Sequence, residues 1–297
     1  MIGAPIKTAY LGPEGTFSHF AAHAFLEHTE TELISCPDLP AIFEAVDKGL
    51  CQVGLVPLEN SLRGTVVQSF DLFLKHPVAI AGELFESISH CLLGGTANSM
   101  DEVWAIYSHP QPLAQCGDWL RTMLPSASLL AVESTAAAAR KALEAPGAAA
   151  IGHIGLAEIY GLTVLAREIE DEPDNLTRFV AIIKEADPEL AAAVLSPACR
   201  QAPRERTSLL FTLPDKPGAL AAVLNCLAEA GINMRKLESR PLRGKVGENW
   251  KYTFFVDVEC DMTAPAYAPA LGRLCACVTM LRVLGSYPQG PHHTTKG

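Results

Sequence analysis

The stretch Asp174-Asn175-Leu176-Thr177-Arg178-Phe179 stands directly before the apolar run Phe179-Val180-Ala181-Ile182-Ile183. An apolar run of this length predicts a buried strand, with the hydroxyl of Thr177 and the guanidinium of Arg178 held at its mouth. Strand ends are where α/β proteins carry their sites. The same residues also fit a capping asparagine beside an ordinary surface Thr-Arg pair, so the interpretation depends on the rest of the chain.

Short apolar strands alternate with amphipathic helices on the N-terminal side of this stretch, back to Ile6. Such alternation is typical of an α/β fold with a parallel sheet. We therefore predict one α/β domain over residues 1–184. Its second lobe is expected at about 79–165, because the extended segment 78–93 interrupts the rhythm, and a cleft between two lobes would gather the polar loops.

Further polar clusters follow other predicted strands of this domain. Gly12-Pro13-Glu14-Gly15 precedes a helix, so it forms either an anion cradle at the helix N-terminus or a purely structural turn. Residues 57–65 and 108–116 follow two more strands. Ser108 at a strand end and Gln115 on the next helix are expected to point into one pocket.

The C-terminal third has a different organisation. Three prolines and little periodicity over residues 185–206 predict a linker. Residues 207–286 have the strand and helix pattern of a βαββαβ domain, whose open sheet edge favours side-by-side dimers. Residues 287–297 are predicted to be a disordered tail.

The charge balance narrows the function. Lysine and arginine number 23 against 33 acidic residues, a net charge of −10, and no segment concentrates basic side chains. This excludes the electrostatic footprint of a nucleic-acid-binding protein. If the ligand is an anion, its attraction has to come from local donors such as Arg63 and Arg178 and from helix N-termini.

Cysteine and histidine usage predicts a site without metal. The nine cysteines are scattered and odd in number, which favours neither a disulfide framework nor a zinc site. His19 and His23 lie one helical turn apart, but no glutamate pattern accompanies them. Residues 1–7 lack a signal pattern and no apolar run reaches about 18 residues, so we expect a cytoplasmic chain that does not enter a membrane.

Five motifs occur in the order and spacing of one enzyme family. They are Gly12-Pro13-Glu14-Gly15-Thr16-Phe17-Ser18, Pro57-Leu58-Glu59-Asn60-Ser61, Ser108-His109-Pro110-Gln111 with Gln115-Cys116, Ser134-Thr135-Ala136, and Asn175-Leu176-Thr177-Arg178-Phe179. On these motifs the chain resembles the prephenate dehydratases, which implies a two-lobed catalytic domain like that of periplasmic binding proteins. The segment with Gly218-Ala219-Leu220 and Glu238-Ser239-Arg240-Pro241 resembles their ACT regulatory domain, a ferredoxin-like βαββαβ unit.

Two features separate the chain from other members that it resembles. No helical segment precedes Ile6, so the chorismate mutase domain fused to some members is expected to be missing. The stretch Asn233-Met234-Arg235-Lys236-Leu237 stands where the family usually has Asn-Leu-Thr-Lys-Ile, a change that bears on the strength of effector binding.

The resemblance implies conversion of prephenate into phenylpyruvate, carbon dioxide and water, without metal, nicotinamide or pyridoxal cofactor. Thr177 matches the family's essential threonine and would donate a hydrogen bond to the departing oxygen. Glu59 would feed this relay, or alternatively cap the adjacent loop. Arg178 would clamp the pyruvyl carboxylate, or instead form a salt bridge to Glu168, Glu170 or Asp171. Phe179 would pack on the substrate ring or begin the core strand.

The other implied site residues fall into three groups. Neutral donors implicated in binding or turnover are Asn60, Ser108 and Gln115. Further substrate contacts are expected at Thr16, Ser61, Gly64, Thr65, Gln111 and Thr135. Residues expected to bind the effector L-phenylalanine, or to report its binding, are Gly218, Ala219, Leu220, Asn233, Glu238, Ser239, Arg240 and Pro241.

The resemblance also implies an assembly and leaves alternatives open. Phenylalanine would bind at an interface between two ACT domains of a homodimer or homotetramer, although the domain alternatively only dimerises. The motifs do not separate prephenate from arogenate, whose ammonium replaces the keto oxygen. A two-lobed amino-acid-sensing protein without turnover is a third possibility, which the intact Thr177-Arg178-Phe179 set disfavours.

Overall fold

The computed structural model describes residues 4–185, 187–242 and 251–293. Its strands are β1 (Ile6–Leu11), β2 (Thr31–Cys36), β3 (Val53–Asn60), β4 (Gly64–Thr65), β5 (Val78–Ser87), β6 (Cys91–Gly94), β7 (Ala105–Ser108), β8 (Ser128–Ala131), β9 (Ala148–Gly152), β10 (Thr163–Ala166), β11 (Leu176–Lys184), β12 (Arg206–Thr212), β13 (Met234–Leu242), β14 (Lys251–Val258), β15 (Met280–Tyr287) and β16 (His292–His293). Its α-helices are α1 (Phe17–Leu26), α2 (Leu39–Asp47), α3 (Val67–Phe73), α4 (Pro110–Gln115), α5 (Gly117–Met123), α6 (Thr135–Glu144), α7 (Gly155–Tyr160), α8 (Pro188–Val194), α9 (Pro197–Gln201), α10 (Ala219–Glu229) and α11 (Ala268–Cys277). None of these helices has the length and apolar character needed to cross a membrane.

The first sheet has the strand order β16-β5-β11-β3-β1-β2, with β4 paired to β3. β1 runs parallel to β2 and β3, whereas β11 lies antiparallel between β3 and β5. The prediction of a buried strand at β11 is confirmed, because every residue from Phe179 to Ile183 is at most 2% exposed. Helix α1 packs on one face of this sheet and helix α2 on the other.

The second sheet has the order β10-β6-β9-β7-β8 and forms the second lobe. The lobe was predicted from about residue 79, but β5 belongs to the first sheet because it pairs with β11 along its length. The chain therefore crosses between the lobes twice, just after β5 and just before β11. Both crossings lie beside the mouth of β11, so the lobes meet where the polar stretch around Thr177 lies.

The C-terminal domain is the predicted βαββαβ unit. Its antiparallel sheet has the order β13-β14-β12-β15, and α10 and α11 pack on it through a core of Val223, Leu227, Val256 and Leu274. The described part of β14 begins at Lys251, since its predicted first residue, Trp250, lies outside the described ranges. This ferredoxin-like arrangement confirms the fold class expected for residues 207–286.

The C-terminal domain packs directly on the first sheet. Phe255 enters a shared core with Phe70 and Phe73, with ring centroids 4.4 Å and 6.5 Å away. A Cβ atom placed on Gly285 of β15 would lie 2.1 Å from the carbonyl oxygen of Ile80 on β5. Only glycine allows this approach, so the two domains are in backbone contact at this point.

The predicted linker 185–206 contains two short helices, α8 and α9. Their prolines begin the helices rather than break them: Asp187 and Ser196 cap the N-termini, and the prolines occupy the first turns. Val194 at the end of α8 is fully buried against the first sheet. The segment is therefore docked onto the N-terminal domain.

The predicted disordered tail is ordered from Tyr287 to His293, while residues 294–297 lie outside the described ranges. Tyr287 is completely buried, and β16 adds a short parallel strand to the edge of β5. His293 Nδ1 lies 2.8 Å from Oε2 of the buried Glu86. The prediction failed because the tail is polar in sequence, and its polar groups find buried partners that only the tertiary structure provides.

The His293–Glu86 contact is expected to make tail docking pH-dependent. The hydrogen bond to Glu86 raises the pKa of His293, so its contribution to stability is fully present below the ordinary histidine pKa and is lost as pH rises through the raised value. We expect His293→Ala to lower the melting temperature at about pH 6 and to have a smaller effect at about pH 9. His292→Ala, which removes only stacking on Phe85, is the matched control and should have the same effect at both pH values.

Candidate active site

A cavity of about 440 Å³ lies between the two lobes, at the mouths of β3 and β11. The loops that precede α4 and α6, both in the second lobe, contribute His109 and Ser134 to its lining. The predicted site residues that line this cavity are Thr16, Asn60, Gly64, Thr65, Gln111, Gln115, Thr135, Thr177 and Phe179. Nine residues from five separate polar motifs are thus brought together around one space.

The side chains of Asn60 and Thr177 line the cavity together. They are paired across β3 and β11, and Asn60 Nδ2 lies 3.0 Å from Thr177 Oγ1. Asn60 Oδ1 accepts the backbone N–H groups of Leu62 and Arg63, at 3.1 Å and 3.0 Å. These bonds fix the amide orientation, so Nδ2 donates to Thr177. The hydroxyl hydrogen of Thr177 is therefore available for donation into the cavity.

Arg178 does not contact the cavity, which contradicts its predicted role as a carboxylate clamp. Successive residues of a strand face opposite sides of the sheet, so Arg178 points away from Thr177 and Phe179. Its guanidinium is buried under the C-terminal domain, where it pairs with Glu83, Asp257 and Tyr287. The alternative salt bridges to Glu168, Glu170 or Asp171 do not form either.

Glu59 also faces away from the cavity, so its predicted relay role is wrong. It is paired across the strands with Arg178 and shares that face of the sheet. One of its oxygens lies 2.7 Å from Nζ of Lys236 on β13. Lys236 Nζ also donates to the Thr65 hydroxyl at 3.1 Å, so Glu59 and Thr65 are held together by the C-terminal domain.

Ser108 and Ser61 support the site without lining the cavity. Ser108 is fully buried and donates to the carbonyl oxygen of Ile151 at 2.7 Å, which ties β7 to β9. Ser61 Oγ accepts the backbone N–H of Leu176 at 2.9 Å and so holds the loop after β3 against the start of β11. Their hydroxyls are used in these contacts, and neither residue lines the cavity where substrate contacts were predicted.

Two ten-residue helices direct their N-termini at the cavity. Thr16 caps α1, accepting the N–H of His19 while donating to the Leu11 carbonyl at 2.9 Å. Ser134 caps α6 and lines the cavity with Thr135, which reaches the carbonyl of Gly15 at 3.4 Å. Helix N-termini carry partial positive charge, so this arrangement favours an anionic ligand.

His90 also lines the cavity, although no sequence pattern predicted it there. It lies in the crossover between β5 and β6, and its ring is almost completely buried. Burial lowers the pKa of His90, which keeps the imidazole neutral at neutral pH. The sequence signal was a single histidine within an otherwise apolar strand-like segment, and such a residue is more often an ordinary core histidine.

A second pocket of about 410 Å³ lies in the C-terminal domain. It is lined by the predicted effector residues Gly218, Ala219 and Leu220, together with Tyr252 and Phe254. Asn233 lies elsewhere and pairs with Glu259. The remaining predicted effector residues, Glu238, Ser239, Arg240 and Pro241, lie on β13.

One face of β13, with Lys236, Glu238 and Arg240, meets the N-terminal domain, whereas Ser239 and Pro241 lie on its exposed face. Glu238 accepts a hydrogen bond from the hydroxyl of Thr65 at 3.0 Å, and Arg240 lies 3.9 Å from Asp71. Because Thr65 also lines the large cavity, β13 connects the C-terminal domain to the candidate active site through one side chain.

Family models match nearly all of the two domains. The model "Prephenate dehydratase" matches residues 8–187, and the model "ACT domain" matches residues 207–276. The bifunctional chorismate mutase/prephenate dehydratase of Aquifex aeolicus is 39% identical over 284 residues, covering 96% of this chain and 74% of that protein. Arogenate dehydratase 2 of Petunia hybrida is 34% identical over 299 residues, covering 96% and 72%.

Solved structures agree over the same range. Prephenate dehydratase from Arthrobacter aurescens in complex with L-Phe has a TM-score of 0.80 and 30% identity, covering 96% of this chain and 90% of that chain. A protein described as GqqA, a quorum quenching acylase, has a TM-score of 0.81 and 30% identity, covering 96% and 98%. By sequence, domain order and structure, the chain belongs to the prephenate dehydratase family, with an ACT domain after the dehydratase domain.

Proposed function

We propose that the protein is a prephenate dehydratase, a carbon-oxygen lyase of phenylalanine biosynthesis regulated by L-phenylalanine. Residues 1–184 form the catalytic domain and residues 207–286 the ACT regulatory domain. The observation that carries the proposal is the Asn60–Thr177 pair, which presents a hydroxyl donor inside the cavity between the lobes, where two helix N-termini also lie. The location is cytoplasmic, in keeping with the free state of all nine cysteines.

The reaction needs a hydrogen-bond donor at the leaving oxygen. Prephenate dianion and one proton give phenylpyruvate, carbon dioxide and water: the C–C bond to the ring carboxylate breaks, its electrons aromatise the ring, and the C–O bond breaks. Thr177 donates to the departing oxygen while its own oxygen accepts from Asn60, which stabilises the developing negative charge. Four of the described residues that line the cavity have titratable side chains: Arg63, His90, His109 and Glu133.

The two carboxylates of the substrate need different partners. An ion pair on the ring carboxylate would stabilise the ground state and slow the loss of carbon dioxide, so neutral donors and helix N-termini suit it. The pyruvyl carboxylate survives the reaction and tolerates a cation. Among the described residues that line the cavity, Arg63 is the only lysine or arginine, and it takes the role that Arg178 was predicted to have.

Arg63→Met is expected to raise KM for prephenate roughly tenfold, since one charge-assisted hydrogen bond is lost. The value of kcat should stay within about twofold, because the pyruvyl carboxylate is bound equally in the ground and transition states. Steady-state kinetics at fixed ionic strength test this, with Arg63→Lys as the matched control that keeps the charge. An unchanged KM in Arg63→Met would remove Arg63 from the substrate site.

The acylase name of one similar structure does not fit the cavity as well. Acyl transfer by a hydroxyl needs an adjacent general base. The observed hydrogen-bond partner of the Thr177 hydroxyl is an amide donor, Asn60 Nδ2, which cannot take its proton. The same group is well suited to support a hydrogen-bond donor, so the geometry favours dehydration.

Regulation follows from the second pocket and from β13. L-Phenylalanine binds at Gly218, Ala219 and Leu220, with a second ACT domain of a homodimer or homotetramer completing the site. Strand β13 then passes the change to Thr65 through Glu238 and Lys236. An ordinary coupling of about 1–3 kcal/mol between the two sites would be sufficient for feedback control.

The deciding assay compares prephenate and arogenate side by side at neutral pH, because acid decomposes prephenate spontaneously. We expect phenylpyruvate from prephenate at a higher kcat/KM than phenylalanine from arogenate, and inhibition of turnover by L-phenylalanine. L-Alanine is the control amino acid. Faster turnover of arogenate would make the protein an arogenate dehydratase, whereas binding of prephenate without product would indicate a sensing protein.

A further inference from the structure

His90 is held rigidly from several directions. Its backbone N–H donates to Oε2 of Glu170 at 2.8 Å, and its carbonyl accepts the N–H of Ile169 at 3.1 Å. The ring of Phe17 meets its imidazole edge-to-face at a centroid distance of 5.4 Å. A side chain fixed in this way is suited to orient a neighbour rather than to move during a reaction.

The neighbour is Gln115, whose Oε1 lies 2.9 Å from Nε2 of His90. Gln115 is itself anchored through its backbone carbonyl, which accepts the N–H of Asp171 at 2.7 Å. A glutamine amide has a donor end and an acceptor end, and either can face a ligand. The contact with His90 decides which end faces the cavity.

Two arrangements of the pair are conceivable, and they differ in what is left buried without a partner. If Nε2 of His90 carries the hydrogen, it donates to Oε1 of Gln115, and Nδ1 remains as an unpaired acceptor, as observed. If the amide is reversed, Nδ1 carries the hydrogen, and a buried N–H has no acceptor. Unpaired buried N–H groups are rarer than unpaired acceptors, so the first arrangement is favoured.

We infer that His90 is a positioning residue for substrate binding: it holds Gln115 so that the amide NH₂ group faces the cavity and donates to an oxygen of the substrate. This inference rests on the proposed function. Gln115 then adds a neutral donor to the set that binds a dianion. Without His90 the amide can turn its carbonyl oxygen towards a substrate carboxylate, which repels it.

A double-mutant cycle on kcat/KM tests the coupling, with whichever of prephenate and arogenate the wild type converts. We expect His90→Phe to lower kcat/KM about tenfold when Gln115 is present and by less than about twofold in a Gln115→Ala background. His90→Gln, which keeps an N–H donor at similar reach, should recover most of the loss. Additive effects in the cycle would show that His90 does not act through Gln115, and the inference would fail.

The tautomer of His90 gives a second test that does not depend on turnover. Side-chain ¹⁵N NMR of the wild type should show neutral His90 with its hydrogen on Nε2 at about pH 8, above the ordinary histidine pKa. The resonance is assigned by its loss in His90→Gln. A hydrogen on Nδ1, or a protonated ring, would overturn the inference even if prephenate turnover is confirmed. If no substrate is converted, the proposed function fails, and the tautomer still decides the orientation of the Gln115 amide.

Discussion

Replacing Thr177 with valine is expected to lower kcat for phenylpyruvate formation by about 10²–10⁴-fold, the usual range for loss of a proton-transferring or donor group. Valine keeps the shape of threonine but removes the hydroxyl that Asn60 contacts and that the proposed mechanism places at the leaving oxygen. KM should change little, because the interaction strengthens mainly as the C–O bond breaks. Rates from purified protein at neutral pH and saturating prephenate measure the effect.

The matched control is Thr177→Ser, which keeps the hydroxyl and should retain kcat within about tenfold, the loss reflecting the freer rotamer of serine. Asn60→Ala should also lower kcat, since Thr177 then loses the amide that orients its oxygen. A Thr177→Val protein with more than a tenth of the wild-type kcat would show that the leaving oxygen receives its hydrogen bond from another group.

Replacing Arg178 with methionine is expected to lower the free energy of unfolding by about 3–5 kcal/mol, the cost of removing one member of a buried ion cluster. The loss leaves Glu83 and Asp257 buried without their cation. Nη1 of Arg206 lies 3.0 Å from Oε2 of Glu83 and partly compensates this carboxylate. This contact sets the lower end of the expected loss in free energy of unfolding. Urea unfolding followed by fluorescence gives the value, provided that the slope of the transition is unchanged.

Arg63→Met is the contrast for this experiment, because Arg63 is exposed and its removal should not change stability. The two substitutions are therefore expected to have different effects: Arg63→Met raises KM for prephenate, and Arg178→Met lowers the free energy of unfolding. A stable Arg178→Met protein with a raised KM would instead restore the sequence-based prediction that Arg178 binds the pyruvyl carboxylate.

The placement of Thr177 and Asn60 at the cavity and of Arg178 and Glu59 away from it has one physical origin. All four stand in polar motifs at strand ends, which sequence patterns locate well. In a strand, however, neighbours point to opposite faces, and which face meets the cavity depends on the register of β11 against β3. That register pairs Thr177 with Asn60 and Arg178 with Glu59, and it depends on long-range contacts that no local pattern contains.

The C-terminal domain covers the face of the first sheet that carries Arg178, and this contact explains the other incorrect predictions. Local propensity assigned residues 287–297 to disorder, yet Tyr287 donates to, or accepts from, Ser208 at 2.6 Å inside the same cluster as Arg178. The βαββαβ pattern itself was predicted correctly, because alternation and turn residues are local. Where that domain sits, and which polar groups it buries, is determined by the shapes of both partners.

The docking of the C-terminal domain on the back of β11 limits how new regulators can arise in this lineage by recombination. A C-terminal domain transplanted from another protein would need equivalents of Asp257, Tyr287 and Lys236. Without them, Arg178 and Glu59 of the N-terminal domain would lose these partners. Natural exchange of such domains should therefore be rare. Engineered chimeras should fold only when these three residues are transferred together.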